Sequence, residues 1–145
     1  ESTMVMTMHI DIVGAEESIH SGRAAYILAR ATEGEVGIYP RHVPMLVQLQ
    51  PGEVTVRDEF GEEQFYYVSG GTMEVQPEVV TILADAATRA HDIDEAAAEQ
   101  ARKRAEEALE NRAGEIDYAR AQAELVEAAA QLRTIQKLRK TANKG

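Results

Sequence analysis

The chain has 145 residues, and 25 Asp+Glu against 15 Lys+Arg give a formal charge of -10, which excludes a general nucleic-acid binder. It contains no cysteine, which excludes disulfide scaffolds, thiolate metal sites and thiol nucleophiles. No run of about 20 apolar residues is available to span a membrane. The first twenty residues carry Asp11, Glu16 and Glu17 without Lys or Arg, so no signal peptide is expected and the chain reads as cytosolic.

Composition divides the chain in two. All four prolines and eight of the ten glycines precede residue 78, whereas fifteen alanines fall from Arg89 onward. Charge divides at the same place, with 14 acids against four arginines over 1–88 and 11 residues of each sign over 89–145. The expected organisation is α+β. Residues 1–7, with Glu1-Ser2-Thr3 ahead of Met4, form a disordered N-terminus or cloning scar. Residues 8–88 form a β module and residues 89–145 a helical one.

In chain order, short β-branched or aromatic runs at 8–13, 25–31, 53–57, 64–69, 72–76 and 79–84 alternate with Gly, Pro and Asp punctuation. Val54 and Val56 alternate with Glu53, Thr55 and Arg57, the period of a half-buried strand. Phe60-Gly61 and Gly70-Gly71 read as tight turns. Strands this short and close together favour a sandwich or flattened barrel. Between two of these runs, residues 33–46 hold two glycines (Gly34, Gly37) and two prolines (Pro40, Pro44), fixing a loop that presents Glu33, Glu35, Arg41 and His42. Such a loop either is simply well fixed or meets a partner.

The helical module reads as a hairpin. Asp92 with Glu95 is a capping-box variant opening a helix over 93–110. A loop over 111–117 surrounds Gly114, and Asp117 caps a second helix to about residue 140. Tyr118, Ala121, Leu125, Ala128, Leu132 and Ile135 follow a 3, 4 spacing, matched on the first helix by Ala98, Ala101, Ala105 and Ala108. An alanine seam buries little, at roughly 0.8 kcal/mol per CH₂-sized group, while each helix is a good helix former by itself. The expectation is an appendage with more than one arrangement. After Glu127 no acid follows, but Arg133, Lys137, Arg139, Lys140 and Lys144 do. They serve either to complement the helix dipole or to dock an acidic partner.

Catalytic signatures are missing: there is no GxxxxGK[ST], HExxH, GxSxG or Gly-rich dinucleotide fingerprint. The histidines His9, His20, His42 and His91 are dispersed without metal-ligand spacing, so no metal site is expected. Absence of Trp and few aromatics disfavour stacking platforms.

The stretch GEVGIYPRHVPML, residues 34–46, is similar to the GExGIxPxHxPLL stretch of the epsilon subunit family of bacterial rotary F-type ATP synthase. FYYVSGGTMEVQPEVVTILADAATR, residues 65–89, resembles that family's SGGxxEVxxxxVTxLAD block, and HIDIVGAEESIHSG its first strand and turn. The resemblance spans about 8–140. It implies a β-sandwich of about ten strands followed by a two-helix hairpin. It also implies a non-catalytic rotor subunit of the central stalk, bound to the gamma subunit and the ring of c subunits. Such a subunit would lie peripherally on the cytoplasmic face of the bacterial inner membrane and couple proton flow to ATP synthesis.

In that frame Glu33, Glu35, Arg41 and His42 lie on the ring-facing edge, with Arg41 standing where many relatives have Gly. The hairpin folds against the sandwich or extends along gamma to block hydrolysis. In the extended form Arg102, Lys103, Arg104, Arg133, Lys137, Arg139 and Lys140 face the beta subunit of the alpha–beta hexamer. Some relatives bind ATP through an [IL]DxxRA motif; here Ile93, Asp94 and Ala98 keep it, but Ala97 replaces its Arg. Arg is the natural phosphate partner, so Arg104 and Arg133 are left to support weak or no nucleotide binding. No other cofactor is expected. Rival readings are a free-standing sandwich adaptor with a helical clamp and a small hydrolase using the Glu33/Glu35 loop.

Overall fold

The computed structural model describes residues 5–111 and 114–143. Residues 1–4 of the proposed scar, 112–113 of the interhelical loop, and Lys144 of the basic tail lie outside the described residues. Nine strands are β1 Met8–Val13, β2 Ser18–Ala24, β3 Tyr26–Ala31, β4 Gly34–Ile38, β5 Met45–Arg57, β6 Glu63–Val68, β7 Gly71–Val75, β8 Val79–Ala84 and β9 Ala87–Arg89. A 3-10 turn, Ala90–Asp92, leads into α1 Glu95–Asn111, and α2 runs Glu115–Asn143.

The strands form one hydrogen-bonded sheet in the order β2-β1-β8-β7-β5-β3-β4, with β6 pairing β5 and β9 off this path. All ladders are antiparallel except β1 with β8, which run parallel. The 13-residue β5 takes the part of two strands. Its first half pairs β7 (Leu49↔Gly71) and its second half pairs β6 (Gly52↔Val68). This accounts for nine strands where the resemblance implies about ten.

Alternate residues from most of these strands converge on one core, including Ile10, Ile12, Ile27, Ile38, Val54, Met73, Val80 and Ile82. Gly71 makes the β6–β7 passage possible. Its φ is +130°, and a Cβ there would lie 2.0 Å from the Leu83 carbonyl oxygen. The Phe60-Gly61 turn is fastened by Asp58, whose Oδ1 accepts from the backbone N–H groups of Phe60 (2.8 Å) and Glu62 (2.9 Å).

Two helix starts differ from the sequence reading. Asp94, not Asp92, caps α1: its Oδ1 accepts from Ala97 N–H at 3.0 Å, satisfying one orphan donor. Asp92 is taken up in the preceding 3-10 turn, and Glu95 instead pairs with Arg139. Asp117 lies inside the first turn of α2 rather than capping it, because the helix already begins at Glu115, with Tyr118 N–H donating to Gly114 C=O.

α2 is packed on two sides. Ala121, Ala128 and Ile135 are buried, as are Ala130 and Thr134. At 3.6 residues per turn, Ala128 and Ala130 stand about 200° apart. The first set belongs to the stripe that meets α1, and the second to the stripe facing β5 and β6. Thr134 is tolerated there because its Oγ1 donates to the Ala130 carbonyl of its own helix at 2.8 Å.

On α1, Ala98 and Ala105 are buried and Ala101 is half-buried, but Ala108 is exposed and Leu109 is half-buried. The seam reading is corrected there. Eleven residues from Ala98 return to within about 20° of it, whereas ten fall about 80° short. Leu125 and Leu132 are half-buried, and Tyr118 is 38 % exposed at the end of the seam.

Candidate functional site

The face of β5 and β6 turned away from the core carries Glu53, Thr55, Phe65 and Tyr67, all buried. Glu53 sits directly across the ladder from Tyr67, and Thr55 from Phe65. Their neighbours Val54, Val56, Tyr66 and Val68 join the core instead. Both faces of this part of the sheet are therefore covered, one by the core and one by α2. The half-buried reading of the strand misses this, because nothing local to Glu53 and Thr55 marks them as lying beneath a helix.

Glu53 is the electrostatic centre of that interface and is only 4 % exposed. Its Oε1 accepts from the Arg30 guanidinium at 2.9 Å and lies 3.5 Å from Lys137 Nζ, and its Oε2 lies 3.5 Å from Arg133 Nε. Burial pushes the Glu53 carboxyl up, but the Arg30 hydrogen bond, together with a backbone donor and the Lys137 and Arg30 charges, outweighs it. The carboxyl is held below its ordinary range. Arg30 reaches Glu53 because Gly52 has no side chain: a Cβ there would lie 3.0 Å from Arg30 Cβ and Cδ.

The residues read as the ring-facing loop are partly strand. Glu35 lies on β4, opposite Arg30 across the β3–β4 ladder, with its carboxylate 3.8 Å from the Arg30 guanidinium. Glu33 is exposed in the β3–β4 turn. Gly37 allows Tyr26 to lie against β4, since a Cβ would come within 2.5 Å of the Tyr26 hydroxyl. Tyr39 packs on Tyr26 at 4.7 Å between ring centroids, and Arg57 caps Tyr26 at 4.8 Å. Arg41 is exposed at φ +66°, a left-handed conformation that glycine adopts without steric cost. His42 Nδ1 donates to the Val43 carbonyl at 2.8 Å. Tyr39, Val43, Leu46 and Phe60 are exposed apolar side chains, 59–83 % accessible.

The basic helix residues are distributed rather than gathered. Arg133 and Lys137 meet Glu53. Arg139 makes a two-pronged pair with Glu95 at 2.9 and 2.5 Å, tying the end of α2 to the start of α1. Arg102 is held on its own helix by Glu99 (2.6 Å) and Glu106 (3.1 Å). Lys103, Arg104 and Lys140 are exposed.

The residues weighed for a nucleotide are also apart. Asp94 caps α1, Ala98 is packed in the seam, half-buried Ile93 follows the 3-10 turn, and Arg133 is engaged by Glu53. Arg104 stands about 15 Å along the helix from Asp94, at 1.5 Å per residue. Among the described residues, no group of three or more His, Cys, Asp or Glu side chains could hold a metal ion, and no helix is long and apolar enough to cross a membrane.

A second cluster lies where the β module joins the helices. The Tyr66 hydroxyl donates to Gln64 Oε1 at 2.6 Å and accepts from His20 Nδ1 at 2.7 Å, and Arg89 donates to the Ile19 carbonyl at 2.5 Å. His20 Nε2 is buried without a hydrogen-bond partner among the described residues. Burial, helped by the Arg89 charge, holds the His20 pKa below its ordinary value. A cleft of about 310 Å³ opens beside this cluster, between Phe65, Arg89 and His91 on one side and Leu138 on the other.

Residues 7–90 match the family model described as "ATP synthase, Delta/Epsilon chain, beta-sandwich domain". Residues 91–136 match "ATP synthase, Delta/Epsilon chain, long alpha-helix domain". The ATP synthase epsilon chain of Alkalilimnicola ehrlichii is 59% identical over 138 residues, covering 95% of this chain and 99% of that one. That of Nitrosococcus oceani is 61% identical over 137 residues, covering 94% and 98%. A chain in the cryo-EM structure of the Euglena gracilis mitochondrial ATP synthase, OSCP/F1/c-ring, superposes with a TM-score of 0.80 at 24% identity, covering 90% of this chain and 82% of that one. That likeness speaks to the fold.

Proposed function

Because the chain belongs to the ATP synthase delta/epsilon chain family, we propose that it is a non-catalytic rotor subunit whose hairpin restrains ATP hydrolysis. End-to-end identity of about three residues in five with chains named ATP synthase epsilon chain carries this reading. Its partners are the gamma subunit and the c-subunit ring, reached through the sandwich, and the alpha and beta subunits, reached through the hairpin. It works peripherally at the cytoplasmic face of the bacterial inner membrane, as part of the assembled enzyme. The exposed apolar side chains Tyr39, Val43 and Leu46, in and beside the segment 33–46, suit a surface that is covered in a complex.

The conformation described is the folded-down one, with α2 between α1 and the sandwich. Extension would strip Arg133 and Lys137 from Glu53 and turn them, with Arg139, Arg102, Lys103, Arg104 and Lys140, toward the acidic surface of the beta subunit. Nucleotide binding to the hairpin is weak or absent, since Ala97 supplies no phosphate partner and Arg133 is already engaged.

Co-expression with gamma and the alpha and beta subunits tests the assignment. Recovery of the tagged chain in a stoichiometric complex is expected. Recovery of the chain alone would leave the free-standing adaptor.

A further inference from the structure

Three cations converge on the Glu53 carboxylate, and their bonds to it are unequal. Arg30, inside the sandwich, is hydrogen-bonded at 2.9 Å. Arg133 and Lys137, both from α2, stand off at 3.5 Å, and Arg133 Nε and Glu53 Oε2 are buried with no hydrogen bond between them. When α2 departs, Glu53 loses its cover and keeps Arg30, so release strands no buried, unpaired carboxylate. The pairing thus has a permanent half and a releasable half, the latter built from long, poorly aligned contacts.

Arg30 also links this pairing to the segment proposed to face the ring. The same guanidinium nitrogen that holds Glu53 lies 3.8 Å from Glu35, whose side chain is 52% exposed. The cluster holds three cations and two carboxylates. Neutralising Glu35 leaves Glu53 alone against all three, so Arg133 and Lys137 are repelled more strongly and Arg30 moves wholly to Glu53.

We propose that Glu53 is a releasable latch holding α2 on the sandwich, and that Glu35, through the shared Arg30, is its input, so that a cation seated on Glu35 loosens the hairpin. That the cation comes from a rotor partner rests on the function proposed above; the latch itself does not.

Amide hydrogen exchange on the full-length chain tests it. Glu53→Gln should raise exchange in the middle of α2 about tenfold while β1 and β8 stay unchanged. Should Glu53→Gln also loosen β1 and β8, the Arg133→Gln/Lys137→Gln double variant carries the test, since both residues sit on α2 and lie outside the sandwich core. It should give the same increase, and adding Glu53→Gln to it should change α2 exchange by less than about twofold. Glu35→Gln should raise α2 exchange about threefold. Unchanged α2 exchange in Glu53→Gln, or effects that multiply in the triple variant, would overturn the latch. Unchanged or slower exchange in Glu35→Gln would overturn the input. Failure to assemble with gamma would sink the function proposed above and leave these exchange results standing.

Discussion

Replacing Ala130 by Leu separates the two sides of α2. Ala130 has no accessible surface and belongs to the stripe that faces β5 and β6, together with Thr134 and, a residue or a turn away, Arg133 and Lys137. Three added carbon atoms find no space there, and overpacking of this kind costs about 1–3 kcal/mol. Because α2 can move away as a rigid body, the cost falls on its docking and not on its helicity. The docking equilibrium then shifts by roughly 5–150-fold toward release.

Fluorescence transfer between a dye on exposed Gln136 and one on the sandwich reads the change, and the lack of native cysteine makes both labels site-specific. Transfer should fall in Ala130→Leu. In Ala128→Leu, on the opposite side, it should persist while α1 becomes more sensitive to protease. Equal transfer in Ala130→Leu and the parent chain would refute the claim that small residues set the α2–sandwich contact.

Other consequences follow from single positions. Gly71→Ala forces a Cβ against the Leu83 carbonyl in addition to an unfavourable φ. It should cost about 2–4 kcal/mol and lower Tm by about 5–15 °C by circular dichroism. Gly34→Ala, at φ +131° with nothing within 4 Å, should cost distinctly less, and equal losses would contradict the steric account. The depressed His20 pKa favours the neutral ring in the folded chain, so stability is complete above the ordinary histidine value of about 6.5. It declines as pH falls below that value, toward the folded-state pKa. Tm measured between pH 7.5 and 5 should show this decline, and His20→Gln should flatten it; an identical slope in the variant would refute the assignment.

Much of this architecture was legible because the two periodicities are segregated. Runs such as 79–84, apolar and rich in β-branched residues, coincide with β8, and Ala98, Ala105, Ala121 and Ala128 mark the interhelical seam through spacing alone. β2 and β4 were hidden by edge positions and by content such as Ser21, Gly22, Gly34 and Gly37, whose ladder pairing carries no hydrophobic signature. The Glu53 site was illegible for a different reason. Arg30, Glu53, Arg133 and Lys137 are far apart in the chain and each reads as a surface charge. Only the tertiary docking of α2 makes Glu53 a buried hub. Asp94 is masked as the cap in the sequence because Asp92 and Glu95 match the usual capping-box spacing. The intervening 3-10 turn moved the helix start onward.

In the proposed role the hairpin beyond Arg89 acts as a brake on the assembled enzyme. This role is tested by ATP hydrolysis in the assembled enzyme, comparing the full chain with one ended at Arg89, a truncation that leaves the sandwich core residues intact. Hydrolysis should rise several-fold on truncation, with assembly preserved. The same rate in both enzymes would contradict it.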